Sequence, residues 1–331
     1  MPYDPLVINF IKTDAVILRT YEYSETSYVL SLLTRDHGRL HALAKGARRP
    51  RGIFGGEIDL LAEGQAVLVL HTDTSLHLLT EFSCRSRRLG LRSSLPRSYA
   101  ACYVADAVGA ASPEGDAQPE LYELLAHTLS ALETDDVAAA VAFFQIRLLD
   151  LAGFMPDLKH CAGCGSAFGK RAAGPRMTYS FLNAGLLCTE CMKAEEGERG
   201  RAGEGVMGRR GEGETGRRER GNGARGLSTP STTSTPSIPS ITSIPSTDER
   251  FRAMDHVCAV SRGAIAFINS LARTHSAALH RATVPHPLAV ETISFLGHVI
   301  AAAFEHEMAT LQPLIAMIKA GAAPPSRKTR G

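Results

Sequence analysis

The sequence predicts an α+β multidomain protein in which a small closed β-barrel is followed by an α-helical domain with a four-cysteine zinc insert. Three observations predict this fold. About 80 N-terminal residues hold five short apolar runs separated by Gly or polar turns, which is typical of a small barrel. From Pro96 the apolar residues recur at helical spacing instead. Two Cys-x-x-Cys pairs then interrupt the helical part, with a spacing suited to tetrahedral metal binding.

The predicted barrel occupies residues 1–82. Polar turns follow the first and second strands, at Ser24-Glu25-Thr26 and Asp36-His37-Gly38. A Gly-rich basic loop, residues 45–56, follows the third strand. The five predicted strands cover residues 15–18, 28–33, 39–44, 66–70 and 76–82.

The predicted helical domain comes in two parts, 83–158 and 251–331. Its second helix opens at Pro119, and its third begins after Thr134 and ends near Gly153. Helical periodicity returns at about Phe251. Residues 194–250 between the parts are rich first in Gly, Arg and Glu and then in Ser, Thr and Pro, a composition that predicts a disordered linker.

Composition limits the classes of function. The 331 residues carry a formal net charge of +2, so an anionic partner must be met by a local basic patch. The seven cysteines form an odd number and no secretory signal precedes them, which predicts a reducing, cytoplasmic location. Apolar runs such as 137–144 are shorter than the ~18 residues of a membrane span, so no membrane partner is predicted.

The insert, residues 159–193, contains Cys161 and Cys164 in one pair and Cys188 and Cys191 in the other. A predicted hairpin between the pairs folds one over the other, and four thiolates suit structural Zn²⁺ with no open position for a substrate. A redox dithiol is the alternative, although it needs only one pair. Four ordinary thiols in a Gly-containing loop are the plainer interpretation.

The basic loop after the third strand is the candidate nucleic-acid site. Its glycines permit close approach to a phosphate chain, and Phe54 is a candidate stacking face. A solvated loop is the alternative interpretation. A second basic run, 85–92, either continues the path or is a solvated linker. The candidate DNA-binding cations are Arg35, Arg39, Lys45, Arg48, Arg49 and Arg51.

The sequence motif that comes nearest to an enzyme signature is incomplete. The stretch 165–170 ends like a phosphate-binding loop, but Cys164 stands where the first Gly belongs and Arg171 replaces the magnesium-binding Ser or Thr. No catalytic residues are therefore predicted and the chain is expected not to be an enzyme. Two alternatives stay open, a zinc-containing nucleic-acid-processing enzyme and a zinc adaptor that binds only protein.

Several stretches together resemble the RecO family of recombination mediators. The stretches from Thr34 to Arg39 and from Ala44 to Pro50 resemble the most recognisable core of the family. The 194–246 insert departs from the family pattern, and the C-terminal helix is less basic than expected. The stretches that carry the resemblance are residues 13–20, 23–27, 34–39, 44–50, 54–56 and 144–158.

The resemblance implies that the barrel is an OB-fold and that the cysteine insert holds zinc. It implies binding of single- and double-stranded DNA, annealing of complementary strands, and help in loading the RecA recombinase onto DNA coated by single-strand binding protein. The implied protein partners are RecR and the acidic C-terminal tail of single-strand binding protein.

Overall fold

A computed structural model describes residues 9–49, 52–71, 74–168, 176–195, 257–273 and 285–321. The predicted linker, 194–250, lies outside these ranges except for its first two residues, and so does Arg51.

Five strands form the N-terminal barrel, as the sequence predicts. The sheet closes on itself in the order β1-β2-β3-β5-β4. β3 and β5 run parallel and the other neighbours are antiparallel, which is the OB-like arrangement. The strands are β1 (Asn9–Glu22), β2 (Tyr28–Thr34), β3 (Gly38–Ala44), β4 (Glu63–Leu70) and β5 (Leu76–Ser86).

The first strand contributes to two cores at once, which explains its unbroken apolar run. Ala15 and Ile17 point into the barrel. Val16 and Leu18 point the other way, into the core of the helical domain. Because successive side chains of a strand face opposite sides, burial of all four fixes the barrel against the helices.

Three helices follow the barrel: α1 (Leu95–Ala111), α2 (Pro119–Thr134) and α3 (Val137–Leu151). The Asp136 carboxylate accepts a hydrogen bond of 2.8 Å from the backbone N–H of Ala139 and so caps α3. Gly153 has φ +74° just beyond the C-terminus of α3, where left-handed backbone favours glycine. The predicted helix boundaries are therefore confirmed to within a few residues.

The rest of the described chain completes the helical domain. A small sheet in the order β7-β6-β8 is built from β6 (Arg176–Ser180), β7 (Gly185–Leu187) and β8 (Val257–Ser261). The prediction places the return of helical structure at about residue 251, and residues 251–256 lie outside the described ranges. Residues 257–261 form strand β8, and helical structure begins at Arg262. Three helices follow: α4 (Arg262–Ala272), α5 (His286–Ala303) and α6 (Leu311–Gly321).

The two parts of the helical domain share one core. α5 packs on α3, and α6 packs on α1. The buried Gln145 amide of α3 donates to Tyr103 Oη of α1 at 2.7 Å and to the carbonyl of Ile293 in α5 at 3.0 Å. α5 is long and apolar enough to cross a membrane by length and composition, and Ile293, Leu296 and Ile300 bury its apolar face in this core.

The second basic run joins the barrel to the helices. The Arg88 side chain is only 9% exposed and pairs with Glu63 of β4 and with Glu133 of α2. Arg85 Nη2 lies 2.7 Å from Asp14 Oδ1, and Arg92 pairs with Asp59. These arginines form structural ion pairs, a role that neither interpretation of the sequence gave them.

Candidate nucleic-acid interface and metal centre

The four predicted cysteines meet in one cluster. Their Sγ atoms all lie within 4.8 Å of one another. Cys164 Sγ and Cys188 Sγ are 3.8 Å apart, which is the edge of a tetrahedron with metal–sulfur bonds of about 2.3 Å. Within the described ranges, no other group of three or more His, Cys, Asp or Glu side chains is arranged to hold a metal ion.

Backbone groups around the cluster favour thiolates. The N–H of Cys188 donates to Cys161 Sγ at 3.2 Å. Burial alone would raise the pKa of the Cys161 thiol, but the N–H groups of Cys164, Cys188 and Gly163 lower it to about 6. A hydrogen bond between Cys164 Sγ and Ser166 Oγ lowers the pKa of Cys164. Thiolates are the form that binds metal.

The same crowding raises the pKa of Cys191 to about 12, chiefly through its side-chain hydrogen bond with Cys188. Four sulfurs at this distance cannot all be anionic without a cation between them. The donor set, its spacing and the N–H···S bonds therefore fit a metal ion.

Two glycines let the first pair turn tightly. A Cβ added to Gly163 would lie 2.9 Å from Cys191 Sγ and 3.0 Å from Cys191 Cβ, closer than atoms pack. Gly165 has φ +73°, a conformation that glycine adopts without strain. The predicted hairpin between the pairs is confirmed as β6 and β7.

The basic loop after β3 is bonded to the loop between β1 and β2. The backbone N–H of Arg48 donates to the carbonyl of Thr26 at 3.0 Å, and the N–H of Gly46 donates to Ser27 Oγ at 3.3 Å. The Arg48 guanidinium donates to the carbonyl of Ser24 at 3.0 Å. The cations of this loop are therefore held in place by a second loop.

The described cations of the basic loop differ in their contacts with other side chains. The Arg48 side chain is 29% exposed, pairs with Glu22 at 3.1 Å and lies over the Tyr28 ring. Lys45 and Arg49 are exposed. Among the described residues neither Lys45 nor Arg49 makes an ion pair, so their charges face solvent.

Arg35 and Arg39 lie at the junction with the helices. Arg35 pairs with Glu123 of α2, and its Nη1 is 4.0 Å from Asp14 Oδ2. Arg39 Nε donates to the carbonyl of Ser112, just after α1, at 3.1 Å. The structure thus places these two cations apart from the loop and partly in structural contacts.

Phe54 does not have the expected exposure. It is 2% exposed and belongs to the core of the barrel, packed with side chains such as Ala47 and Phe82. The prediction that Phe54 is a stacking face is therefore wrong. The loop is Gly-rich, but it folds an aromatic ring over the end of the barrel, so the ring is buried from solvent.

Exposed aromatics lie instead at the end of β1. Tyr21 is 47% exposed and Tyr23 is 65% exposed, next to the anchored loops. Sequence reasoning missed them. The signal was present, because two tyrosines separated by one residue follow the strand of an expected OB-fold, where the β1–β2 loop commonly contacts ligand.

Comparison with known families agrees with this architecture. The family description "Recombination protein O N terminal" matches residues 8–87, and "Recombination protein O C terminal" matches 92–206. The chain belongs to the RecO family of DNA repair proteins. The N-terminal match covers the RecO barrel, and the C-terminal match covers α1 to α3 and the cysteine cluster but ends before β8.

Curated relatives carry the name DNA repair protein RecO. The protein of Rhodopirellula baltica is 36% identical over 185 residues, 55% of this chain and 67% of its own length. That of Desulfitobacterium hafniense is 32% identical over 180 residues, which cover 54% of this chain and 63% of the relative. That of Dehalococcoides mccartyi is 31% identical over 194 residues, which cover 56% of this chain and 72% of the relative. The chain therefore matches about two thirds of the length of these relatives.

Proposed function

We propose that this RecO family member is a cytoplasmic recombination and repair mediator. It binds single- and double-stranded DNA, anneals complementary strands, and assists loading of RecA onto DNA covered by single-strand binding protein. Family membership supports the repair role. The observation that carries the DNA-binding part is a pair of exposed cations, Lys45 and Arg49, that form no ion pair with any residue the structure describes. They lie on a loop that is bonded to a second loop of the OB-like barrel.

Annealing by this route needs no covalent step. Lys45, Arg48, Arg49 and Arg51 neutralise phosphates and release counterions, which drives binding and makes it sensitive to salt. Arg35 and Arg39 extend the positive charge toward the helical junction. The bases stay free to pair with a second strand, so no catalytic residues are required.

The cysteine cluster serves as a brace in this proposal. We assign it to Zn²⁺, held by Cys161, Cys164, Cys188 and Cys191, because four thiolates at tetrahedral spacing are typical of structural zinc. The ion supplies fixed geometry for the insert. The insert in turn positions β6, whose Tyr179 packs edge-on against Phe295 of α5 with ring centroids 5.1 Å apart.

The protein partners follow from the family. We propose RecR and the acidic C-terminal tail of single-strand binding protein as partners of the helical domain and its surroundings.

Annealing of complementary oligonucleotides, with and without single-strand binding protein, tests the function. Neither nucleotide nor magnesium is added, and the expected result is faster duplex formation than in buffer alone. Cleavage of either strand after magnesium addition would instead indicate a nuclease. No retention of DNA at low salt would indicate an adaptor that binds only protein.

A further inference from the structure

A stripe of side chains crosses the outer face of β1, β2 and β3. Arg19 pairs in register with Ser31, and Ser31 with His41, so the three share one side of the sheet. Tyr21 lies two residues beyond Arg19 on the same strand. Tyr23 follows at the start of the β1–β2 loop.

One end of this stripe opens into a cleft between the barrel and the helical domain. The cleft has a volume of about 270 Å³, and Arg19, Tyr21, Arg39 and His41 line its barrel side. His306 lines the helical side together with Phe304 and one acidic residue, Glu305. Two arginines and two aromatic rings therefore line the cleft. Asp106 of α1 pairs with Arg19 and lies 3.6 Å from His306 Nε2.

The other end of the stripe meets the basic loop. Tyr23 N–H donates to the carbonyl of Ser27 at 3.1 Å, and Ser27 Oγ accepts from Gly46 N–H in the basic loop. These hydrogen bonds join the loop that holds Tyr23 to the basic loop, which carries the exposed cations Lys45 and Arg49. Glu22 and Glu25 are acidic residues at the loop end of the β1–β2 hairpin, and Glu22 is paired with Arg48.

We infer that Tyr21 and Tyr23 are base-stacking residues for unpaired nucleotides, on a single-strand path that runs from the basic loop across β1–β3 to the cleft. This inference rests on the proposed function and adds to it. A strand of nucleic acid needs cations for its phosphates and flat faces for its bases. Lys45 and Arg49 supply the cations at the loop end of the path, and Arg39 lines the cleft at the other end. The exposed rings of Tyr21 and Tyr23 lie between these two ends. The exposed rings lie on an open face, which suits bases better than the enclosed apolar pocket that a peptide side chain would need.

A single-tryptophan reporter tests the inference directly. The chain contains no Trp, so Tyr23→Trp introduces one reporter at the proposed stacking site. Three probes of equal length are compared: an oligo-dT strand, an abasic strand and a duplex. We expect oligo-dT to quench the Trp fluorescence strongly, and the abasic strand and the duplex to leave it nearly unchanged although both bind.

Alanine variants give a second readout. Tyr21→Ala and Tyr23→Ala should each weaken oligo-dT binding by about five- to tenfold, the lower range for loss of one base stack, and leave duplex binding unchanged. Phenylalanine at either position should restore single-strand binding, because the ring is retained. Phe10→Ala is the matched control, since Phe10 is 59% exposed at the opposite end of β1.

Two results would overturn the inference while the proposed function stands: equal loss of duplex and oligo-dT binding in the alanine variants, or quenching that does not distinguish the abasic strand. Binding of none of the three probes by the unaltered protein at low salt would overturn both together.

Discussion

At the residue scale, burial separates side chains that the sequence made look alike. Phe54 and Tyr23 both lie in loops at the rim of the barrel, but Phe54 is 2% exposed and Tyr23 is 65% exposed. One ring therefore stabilises the barrel, and the other is free to contact a ligand.

We predict that Phe54→Ala lowers the free energy of unfolding by about 3–5 kcal/mol, because it leaves a cavity in the barrel core. Urea denaturation measures this. Phe10→Ala, an exposed aromatic on the same domain, should stay within about 0.5 kcal/mol of the unaltered protein. A Phe54→Ala protein of normal stability that has lost DNA binding would restore Phe54 as a ligand contact.

Arg88 is the second case in which a residue's surroundings decide its role. Its guanidinium is nearly buried among Glu63, Glu133 and Ser130 Oγ, with the Ser130 bond at 2.6 Å. Arg88→Ala leaves two partly buried carboxylates without their cation, so we expect a loss of about 3 kcal/mol of stability, the lower end for a broken buried ion pair. Denaturation of Arg88→Ala and Arg87→Ala compares a buried arginine with its exposed neighbour, and similar small losses in both would contradict the buried-pair interpretation.

At the element scale, the cysteine insert is the part that we propose depends on metal. A Cβ at position 163 meets Cys191 Sγ at 2.9 Å, so Gly163→Ala should weaken metal binding even though every ligand is kept. Cys164→Ser should weaken it further. Metal content after purification and zinc release during acidification measure both, and release is expected at a higher pH in the variants because protons compete with the metal for the thiolates. Metal content unchanged in Cys164→Ser would contradict a four-thiolate site.

The segment between the insert and β8 begins and ends at one point of the fold. Ser180 Oγ donates to Glu195 Oε1 at 3.2 Å, and Ser180 is also the register partner of Val257. A short linker therefore suffices to join residue 195 to residue 257.

We predict that replacing residues 196–256 by a short Gly/Ser linker leaves the thermal midpoint and the metal content unchanged. Differential scanning calorimetry and metal analysis check this. A protein that no longer folds would show that the segment makes contacts required by the helical domain. Retained folding with weakened DNA binding would instead contradict the prediction that the segment serves only as a disordered linker.

Local signals account for most of what the sequence predicted correctly. Pro119 and Asp136 fix helix starts by chemistry that involves neighbouring residues only, and the cysteine spacing needs only a hairpin. β8 was missed because its strand character comes from pairing with β6, about 80 residues earlier. The same holds for Arg35, whose partner Glu123 is 88 positions away.

At the scale of the whole molecule, the net charge of +2 leaves DNA binding to a local patch. Ion pairs occupy Arg19, Arg85, Arg88 and Arg92 at the junction of barrel and helices. Among the described residues of the basic loop, Lys45 and Arg49 keep their charges toward solvent, and Arg48 pairs with Glu22. Affinity for DNA should therefore depend on few side chains and fall steeply with salt.

The salt dependence of single-strand binding tests this claim most directly. About four phosphate contacts predict a log–log slope of roughly −3 for the unaltered protein. Lys45→Ala, Arg48→Ala and Arg49→Ala combined should flatten the slope by about 2 units. The matched control removes three exposed cations outside the barrel, Lys159, Lys193 and Arg273, and should keep the slope near −3. An unchanged slope in the barrel variant, or equal flattening in both, would contradict a DNA site on the rim of the barrel.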